Sequence, residues 1–262
     1  MDKKIIFFDI DGTLIDEKTD TIPESTKEAL KKAKENGYFI FINTGRPISE
    51  INTRIKELQF DGYVCGCGTY IELHNKELMF KSLGTSLSKK IVKKLRKCNI
   101  DGILEGKKDI YYNENSLSEE VVRIKKFHMK EGFYSGTTWD DPYIDFDKLV
   151  IWITENSDFD SFHEEFKDVF DFIKRDIDFY ELAPIGFSKA SGIKFLMDYL
   201  DIPLENTYAI GDSTNDLSML EYVENSIAMG NSNPILFDLV SFVTKNVDDN
   251  GIYHALKHYE II

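Results

Sequence analysis

Short, wholly apolar runs alternate with longer amphipathic stretches at both ends of the chain. Ile5-Ile6-Phe7-Phe8 and Tyr38-Phe39-Ile40-Phe41-Ile42 have the unbroken apolar character of parallel strands buried on both faces. Between them Pro23 opens and Gly37 closes a stretch of helix formers over 24–36. After Thr44-Gly45-Arg46-Pro47, the positions Ile48, Ile51, Ile55 and Leu58 predict a helix with one buried face, and Tyr63-Val64-Cys65 predicts a third strand. Strand, helix, strand, helix, strand is the rhythm of an α/β sheet with right-handed crossovers.

The C-terminal portion repeats that rhythm. Ile193, Leu196, Met197 and Leu200 fall at i, i+3, i+4 and i+7, on one face of a helix starting near Ser188. Residues 207–210, 226–229 and 242–243 read as strands, and 216–220 lies in a helix. Between the two portions the texture changes. Aromatic residues thicken over 82–183, among them Phe127, Trp139, Tyr143, Phe162, Phe166 and Phe170, and Leu149-Val150-Ile151-Trp152-Ile153 reads as a buried strand of a second sheet. The expected organisation is a core domain made of 1–81 and 184–262, with 82–183 inserted as a second α+β domain.

Composition narrows the class of partner. With 262 residues the chain is long for one simple core and suits a domain carrying a large insertion. The 46 Asp and Glu against 32 Lys and Arg give a net charge of −14, so no cationic surplus exists to neutralise a nucleic-acid backbone. The apolar runs are far shorter than a membrane span, and Met1-Asp2-Lys3-Lys4 leads into a strand rather than a signal-peptide segment, so a cytoplasmic protein is expected. Cys65, Cys67 and Cys98 cannot all pair, and Cys65-Gly66-Cys67 lacks the second ligand pair of a zinc site.

Asp9-Ile10-Asp11-Gly12-Thr13 follows the first strand directly, where ligands bind in open α/β sheets. Residues two apart on an extended chain point the same way, which brings Asp9 and Asp11 toward one ligand. Two close carboxylates need a divalent cation or a shared proton, so the pair implies either Mg²⁺ or an acid/base division of labour. Gly211-Asp212-Ser213-Thr214-Asn215-Asp216 follows another buried strand and supplies further hard oxygen ligands. Thr44 adds a hydroxyl after the second strand, and the N–H groups near Gly45 would open a helix whose dipole favours an anion. Lys189 sits at a helix start, where the dipole disfavours a lone cation unless an anion faces it. Singly, Thr44 reads more readily as a helix cap and Lys189 as a surface lysine; their position relative to the two acidic motifs gives them weight.

In this order the motifs resemble the haloacid dehalogenase (HAD) superfamily of phosphohydrolases, most closely the Cof-type group with its large inserted cap. Met229-Gly230-Asn231-Ser232 and the segment from Thr244 to Gly251 share the likeness. The resemblance implies a HAD-like Rossmannoid core with a parallel sheet and an inserted α+β cap of type C2B. It also implies hydrolysis of a small phosphorylated metabolite, with sugar phosphates as the leading class, by a monomer or weak homodimer. Asp9 would be the nucleophile and Asp11 the general acid and base. Mg²⁺ would be held by Asp9, the Asp11 carbonyl and Asp212, and the phosphoryl oxygens by Thr44, Lys189 and Asn215. Asp216 would orient Lys189 or a metal-bound water, and Arg46 is a candidate substrate contact. The sequence departs from the group where Cys67-Gly68-Thr69 replaces the common Asn-Gly-Ala. A phosphotransferase or mutase of the phosphomannomutase type would share the Asp9 chemistry, and a non-catalytic metabolite-binding protein is the alternative from another class.

Overall fold

The computed structural model describes residues 3–116 and 118–262. The chain begins with β1 (Lys4–Phe8), α1 (Glu24–Glu35), β2 (Tyr38–Asn43), α2 (Thr53–Lys56), β3 (Gly62–Cys65), β4 (Tyr70–Leu73) and β5 (Lys76–Phe80). It continues through α3 (Thr85–Lys97), β6 (Asp101–Glu105), β7 (Ile110–Tyr112), α4 (Glu119–Glu131), β8 (Lys148–Trp152), α5 (Phe159–Phe166), β9 (Phe170–Lys174) and β10 (Phe179–Pro184). It ends with α6 (Lys189–Leu200), β11 (Thr207–Gly211), α7 (Leu217–Tyr222), β12 (Asn225–Ala228), β13 (Phe242–Val243) and α8 (Gly251–His258). Two compact units result. The first comprises the chain up to Gly45, Thr53–Leu78 and Ser188–Ile262; the second comprises Arg46–Asn52 and Met79–Phe187.

In the first unit the strands lie in the order β13-β12-β11-β1-β2-β3-β4-β5. The pairs from β13 to β3 are parallel, and β4 returns antiparallel to β3. Ile5, Ile6, Phe7 and Phe8 are fully buried, as a central strand covered on both faces requires. Phe8 stands beside Ile210 on one side and Ile42 on the other, so the carboxyl ends of β1, β2 and β11 lie level. Strand order reverses at β1, with β2 and β3 to one side and β11 and β12 to the other. Such a switch point leaves a crevice beyond the strand ends.

The second unit is an antiparallel sheet, β7-β6-β8-β10-β9, with the apolar strand at 148–152 in the middle. Alternation along the strands divides two cores. Leu104, Leu149, Ile151 and Leu182 pack with Ile91 and Leu95 of α3 and Phe162 and Phe166 of α5. Ile103, Val150 and Tyr112 pack with Val121 of α4. Most of the aromatic enrichment is therefore core, although Phe127 and Tyr143 are exposed.

One predicted element does not form. In place of a helix carrying Ile48, Ile51, Ile55 and Leu58, a three-residue 3₁₀ turn, Ile48–Glu50, is followed by extended backbone at Ile51 (φ −81°, ψ 103°) and then the short α2. The stretch is divided between units. Ser49 Oγ donates to the Gly106 carbonyl (2.9 Å), and Glu50 Oε1 lies 3.6 Å from His128 Nε2, both within the second unit, whereas α2 belongs to the first. Ile51 and Ile55 are buried as expected. Tertiary contacts set the backbone between them and override the local helical period.

Candidate active site

Asp9 is the first residue beyond β1. Its N–H donates to the Ile210 carbonyl (3.0 Å), which ties it to β11, and its side chain is buried. The chain then turns sharply: the Leu14 and Ile15 amides both return to the Ile10 carbonyl at 2.9 Å. Gly12 makes the turn at φ +73°, where a Cβ would stand 2.4 Å from Asp212 Oδ2. Thr13 Oγ1 donates to Asp212 Oδ1 at 3.0 Å, so this loop also aims a carboxylate of the other acidic motif. Gly12→Ala is therefore expected to cost about 1–3 kcal/mol in backbone strain and to displace Asp212. Thermal unfolding and Mg²⁺ titration of the variant test this, and an unchanged midpoint with unchanged Mg²⁺ response would contradict it.

Lys189 is the first residue of α6, which Ser188 caps in a reciprocal box with Ser191. Its backbone carbonyl accepts from Asn43 Nδ2 (3.0 Å), linking the helix start to the end of β2. Its ammonium lies 2.6 Å from Asp9 Oδ1 and 2.5 Å from Asp216 Oδ1, with the side chain 1% exposed. Burial disfavours that charge, yet Asp216 and Asp9 outweigh it and hold Lys189 protonated well above the usual lysine range. The anion predicted to face this helix start is thus supplied by the protein's own carboxylates.

Asp216 uses both oxygens. One meets Lys189; the other accepts from the Asp212 and Ser213 amides at 2.9 and 3.0 Å. It holds the 211–216 turn together while orienting the lysine, and a metal would have to compete for either oxygen. Carboxylate oxygens of Asp9, Asp212 and Asp216 all lie within 4.8 Å of one another. Three carboxylates face one ammonium, a deficit of two positive charges. Burial, and then the Asp216 charge, push the Asp9 carboxyl well above the ordinary range, with Lys189 opposing. The same two causes push Asp212 up to about 7. A hard divalent cation relieves this arrangement, and oxygen donors from two strand ends fit Mg²⁺.

The remaining predicted residues fall at different distances from this cluster. Asp11 is half-buried on the same turn, and its charge adds to the upward pressure on Asp9. Its side chain is not among the three clustered carboxylates. Thr44 follows β2 and is buried, its amide bonded to Val64 O (2.9 Å) and its carbonyl to the Cys67 amide (3.2 Å). The helix dipole expected near Gly45 is absent, because only the three-residue turn begins there. Asn215 sits within the Thr214–Asp216 turn, its Oδ1 accepting from Ser213 Oγ. Arg46 belongs to the second unit; burial, and then the Arg46 charge, lower His128 to about 4. Cys67, in the position where Asn is common, adopts a left-handed conformation (φ 54°, ψ 41°) that Asn tolerates better than Cys. Sequence reasoning assigned no role to Thr13, although its place two residues after Asp11 was visible.

Comparison with known proteins agrees with the geometry. Residues 6–256 match the family model of haloacid dehalogenase-like hydrolases. YkrA of Bacillus subtilis (strain 168), which carries a phosphatase name, is 30% identical over all of both chains. The 5-amino-6-(5-phospho-D-ribitylamino)uracil phosphatase YitU of the same organism is 26% identical over 97% of each. Among solved structures, the HAD subclass IIB sugar phosphatase BT4131 superposes with a TM-score of 0.84 at 28% identity, covering 99% of this chain and all of the other. With two acidic strand ends joined through a buried lysine and this likeness running the length of the fold, the chain belongs to the haloacid dehalogenase-like hydrolases, as a Cof-type phosphatase.

Proposed function

We propose that the protein hydrolyses a small phosphorylated polyol or sugar in a Mg²⁺-dependent reaction through an aspartyl-phosphate at Asp9. The observation that carries this reading is the Asp9–Lys189–Asp216 ion triad beside Asp212 at the ends of β1 and β11. Lys189 holds Asp9 Oδ1, which leaves Oδ2 to attack phosphorus as the bond to the leaving alkoxide breaks. Asp11 donates a proton to that alkoxide, then takes one from the water that attacks the acyl phosphate and regenerates Asp9. Thr44 and Asn215 offer hydrogen bonds to the phosphoryl oxygens, and Lys189 brings positive charge to the side where negative charge grows. Asp9, the Asp11 carbonyl and Asp212 would hold Mg²⁺, which supplies charge neutralisation and keeps Asp9 ionised despite its burial. The second unit is the candidate determinant of substrate choice, and Arg46 remains a candidate substrate contact.

The names of two relatives support the substrate class. One is a sugar phosphatase and the other acts on a phosphoribityl compound, so both carry phosphate on a polyhydroxylated carbon chain. A panel of sugar phosphates, polyol phosphates, nucleoside monophosphates and an aryl phosphate, assayed with MgCl₂ and with EDTA, tests the proposal. Phosphate release is expected to be fastest with the polyhydroxylated substrates and lost in EDTA. Isomerised sugar phosphate without free phosphate would overturn hydrolysis in favour of a mutase, and absence of any turnover would favour a binding protein.

A further inference from the structure

The loop after β12 touches both acidic loops, and the proposed reaction uses none of its side chains. Met229 N donates to the Gly211 carbonyl (2.9 Å), and Asn233 N to the Asp212 carbonyl (3.0 Å). Ser232 Oγ also reaches Gly211 O (3.4 Å). Asn231 spans the other way: its Nδ2 donates to the Gly12 carbonyl (2.8 Å), while its Oδ1 accepts from the Val247 amide (2.8 Å). The loop is itself anchored by Gly230 N on Lys245 O (3.0 Å), in a close approach where a Cβ at Gly230 would stand 2.6 Å from Asn246 Oδ1. With Thr13 Oγ1 on Asp212 Oδ1, these bonds close a ring: Gly12 to Asn231, along the loop to Asn233, to Asp212, and back through Thr13.

We propose that the 229–233 loop is a clamp that fixes the separation of the Asp9 and Asp212 loops for the cation, with Asn231 as its positioning residue. The physical need is electrostatic. Asp9 on one loop crowds within 4.8 Å of Asp212 and Asp216 on the other, and repulsion between them, offset in part by Lys189, favours spreading of the loops. Mg²⁺ demands near-ideal octahedral geometry, so loops that spread must be drawn back at the expense of binding free energy. Backbone bonds from Met229 and Asn233 hold the Asp212 side of the gap. Asn231 is the loop's one side-chain bond to the Asp9 side among the described residues, and Val247 keeps its amide from rotating away. Preorganisation of this kind appears as metal affinity rather than as chemistry at saturating metal.

This inference rests on the Mg²⁺ site proposed above, and the experiment separates the two. MgCl₂ alone is titrated into metal-free wild type, Asn231→Ala, Asn233→Ala and Asp212→Asn by calorimetry, with phosphatase activity measured at saturating Mg²⁺. Asn231→Ala is expected to weaken Mg²⁺ binding roughly five- to tenfold while kcat at saturating Mg²⁺ stays within about threefold of wild type. Asn233→Ala removes only the side-chain cap on the Ile235 amide and is expected to leave Mg²⁺ affinity unchanged. Unchanged affinity in Asn231→Ala, or equal weakening in Asn233→Ala, overturns the clamp while leaving the Mg²⁺ site standing. Failure of wild type to bind Mg²⁺, or full binding by Asp212→Asn, overturns the site itself and the clamp with it. A measurement on wild type covers the case in which Asn231→Ala does not fold. The Val247 amide is expected to be protected from hydrogen exchange without Mg²⁺, and protection arising only on Mg²⁺ addition would show that the clamp is not preformed and overturn it.

Discussion

Asp9→Asn is expected to lower kcat for phosphomonoester hydrolysis by a factor on the order of 10⁴ or more, the scale seen when a covalent nucleophile is removed. The amide is nearly isosteric and can still accept from Lys189, so the loop between β1 and Thr13 keeps its shape. What disappears is the anionic oxygen that the proposed mechanism uses to attack phosphorus. Folding is not expected to suffer. The carboxyl is pushed up by burial and by the Asp216 charge, so a neutral group at this position relieves repulsion that Lys189 only partly offsets. The expected pattern is a protein with an unchanged or raised unfolding midpoint and no burst of covalent phosphate. Turnover within tenfold of wild type, with Mg²⁺ present and contaminating phosphatase excluded, would remove Asp9 from the role of nucleophile.

The parts of this arrangement that could be read from the sequence are those fixed by burial on two sides. β1, β2, β8 and β11 each contain an unbroken apolar run, at 5–8, 38–42, 149–152 and 208–210, and such runs have few alternatives to a covered strand. Carboxylates placed directly after such strands stand at the sheet's carboxyl edge whatever the loops do, which is why Asp9 and Asp212 were legible as a pair. α6 was legible for a different reason: its apolar stripe and its serine cap agree on the same start.

The stretch from Ile48 to Leu58 shows where that reasoning ends. Its apolar spacing is helical, but spacing reports only that Ile51 and Ile55 are buried, not that one continuous element buries them. Once Glu50 engages His128 in the second unit and α2 belongs to the first, the backbone must extend at Ile51. The clamp escapes sequence reasoning for a related reason. Asn231 acts through a backbone carbonyl more than two hundred residues away, and an exposed asparagine after a strand looks like ordinary turn chemistry. For Asp216 the resemblance implies orienting Lys189 or a metal-bound water; the structure places one oxygen on Lys189 and adds the second oxygen's hold on the 211–216 turn.

Lys189→Met is expected to destabilise the protein without added Mg²⁺ by about 3–5 kcal/mol near neutral pH, because it strips the shared cation from two buried carboxylates. The methionine replaces most of the aliphatic stem, so packing loss is small and the charge effect dominates. The size of the effect depends on pH with a sign that can be worked out. Asp9 already has a carboxyl raised above the ordinary 3.8, so the folded protein binds a proton that the unfolded chain has released. Stability from this group is therefore highest at low pH and falls as pH rises through the raised value. Removing Lys189, which opposes that rise, widens the window. The variant's deficit relative to wild type should accordingly be smaller at acidic pH, where Asp9 takes up a proton, than at alkaline pH. Mg²⁺ should recover part of the deficit at the higher pH by supplying the missing positive charge, without restoring turnover. Denaturant unfolding of both proteins at the two pH values, with and without MgCl₂, measures all of this. A deficit that is the same at both pH values and indifferent to Mg²⁺ would mean that Lys189 contributes packing alone, and that the buried ion triad is not what organises the site.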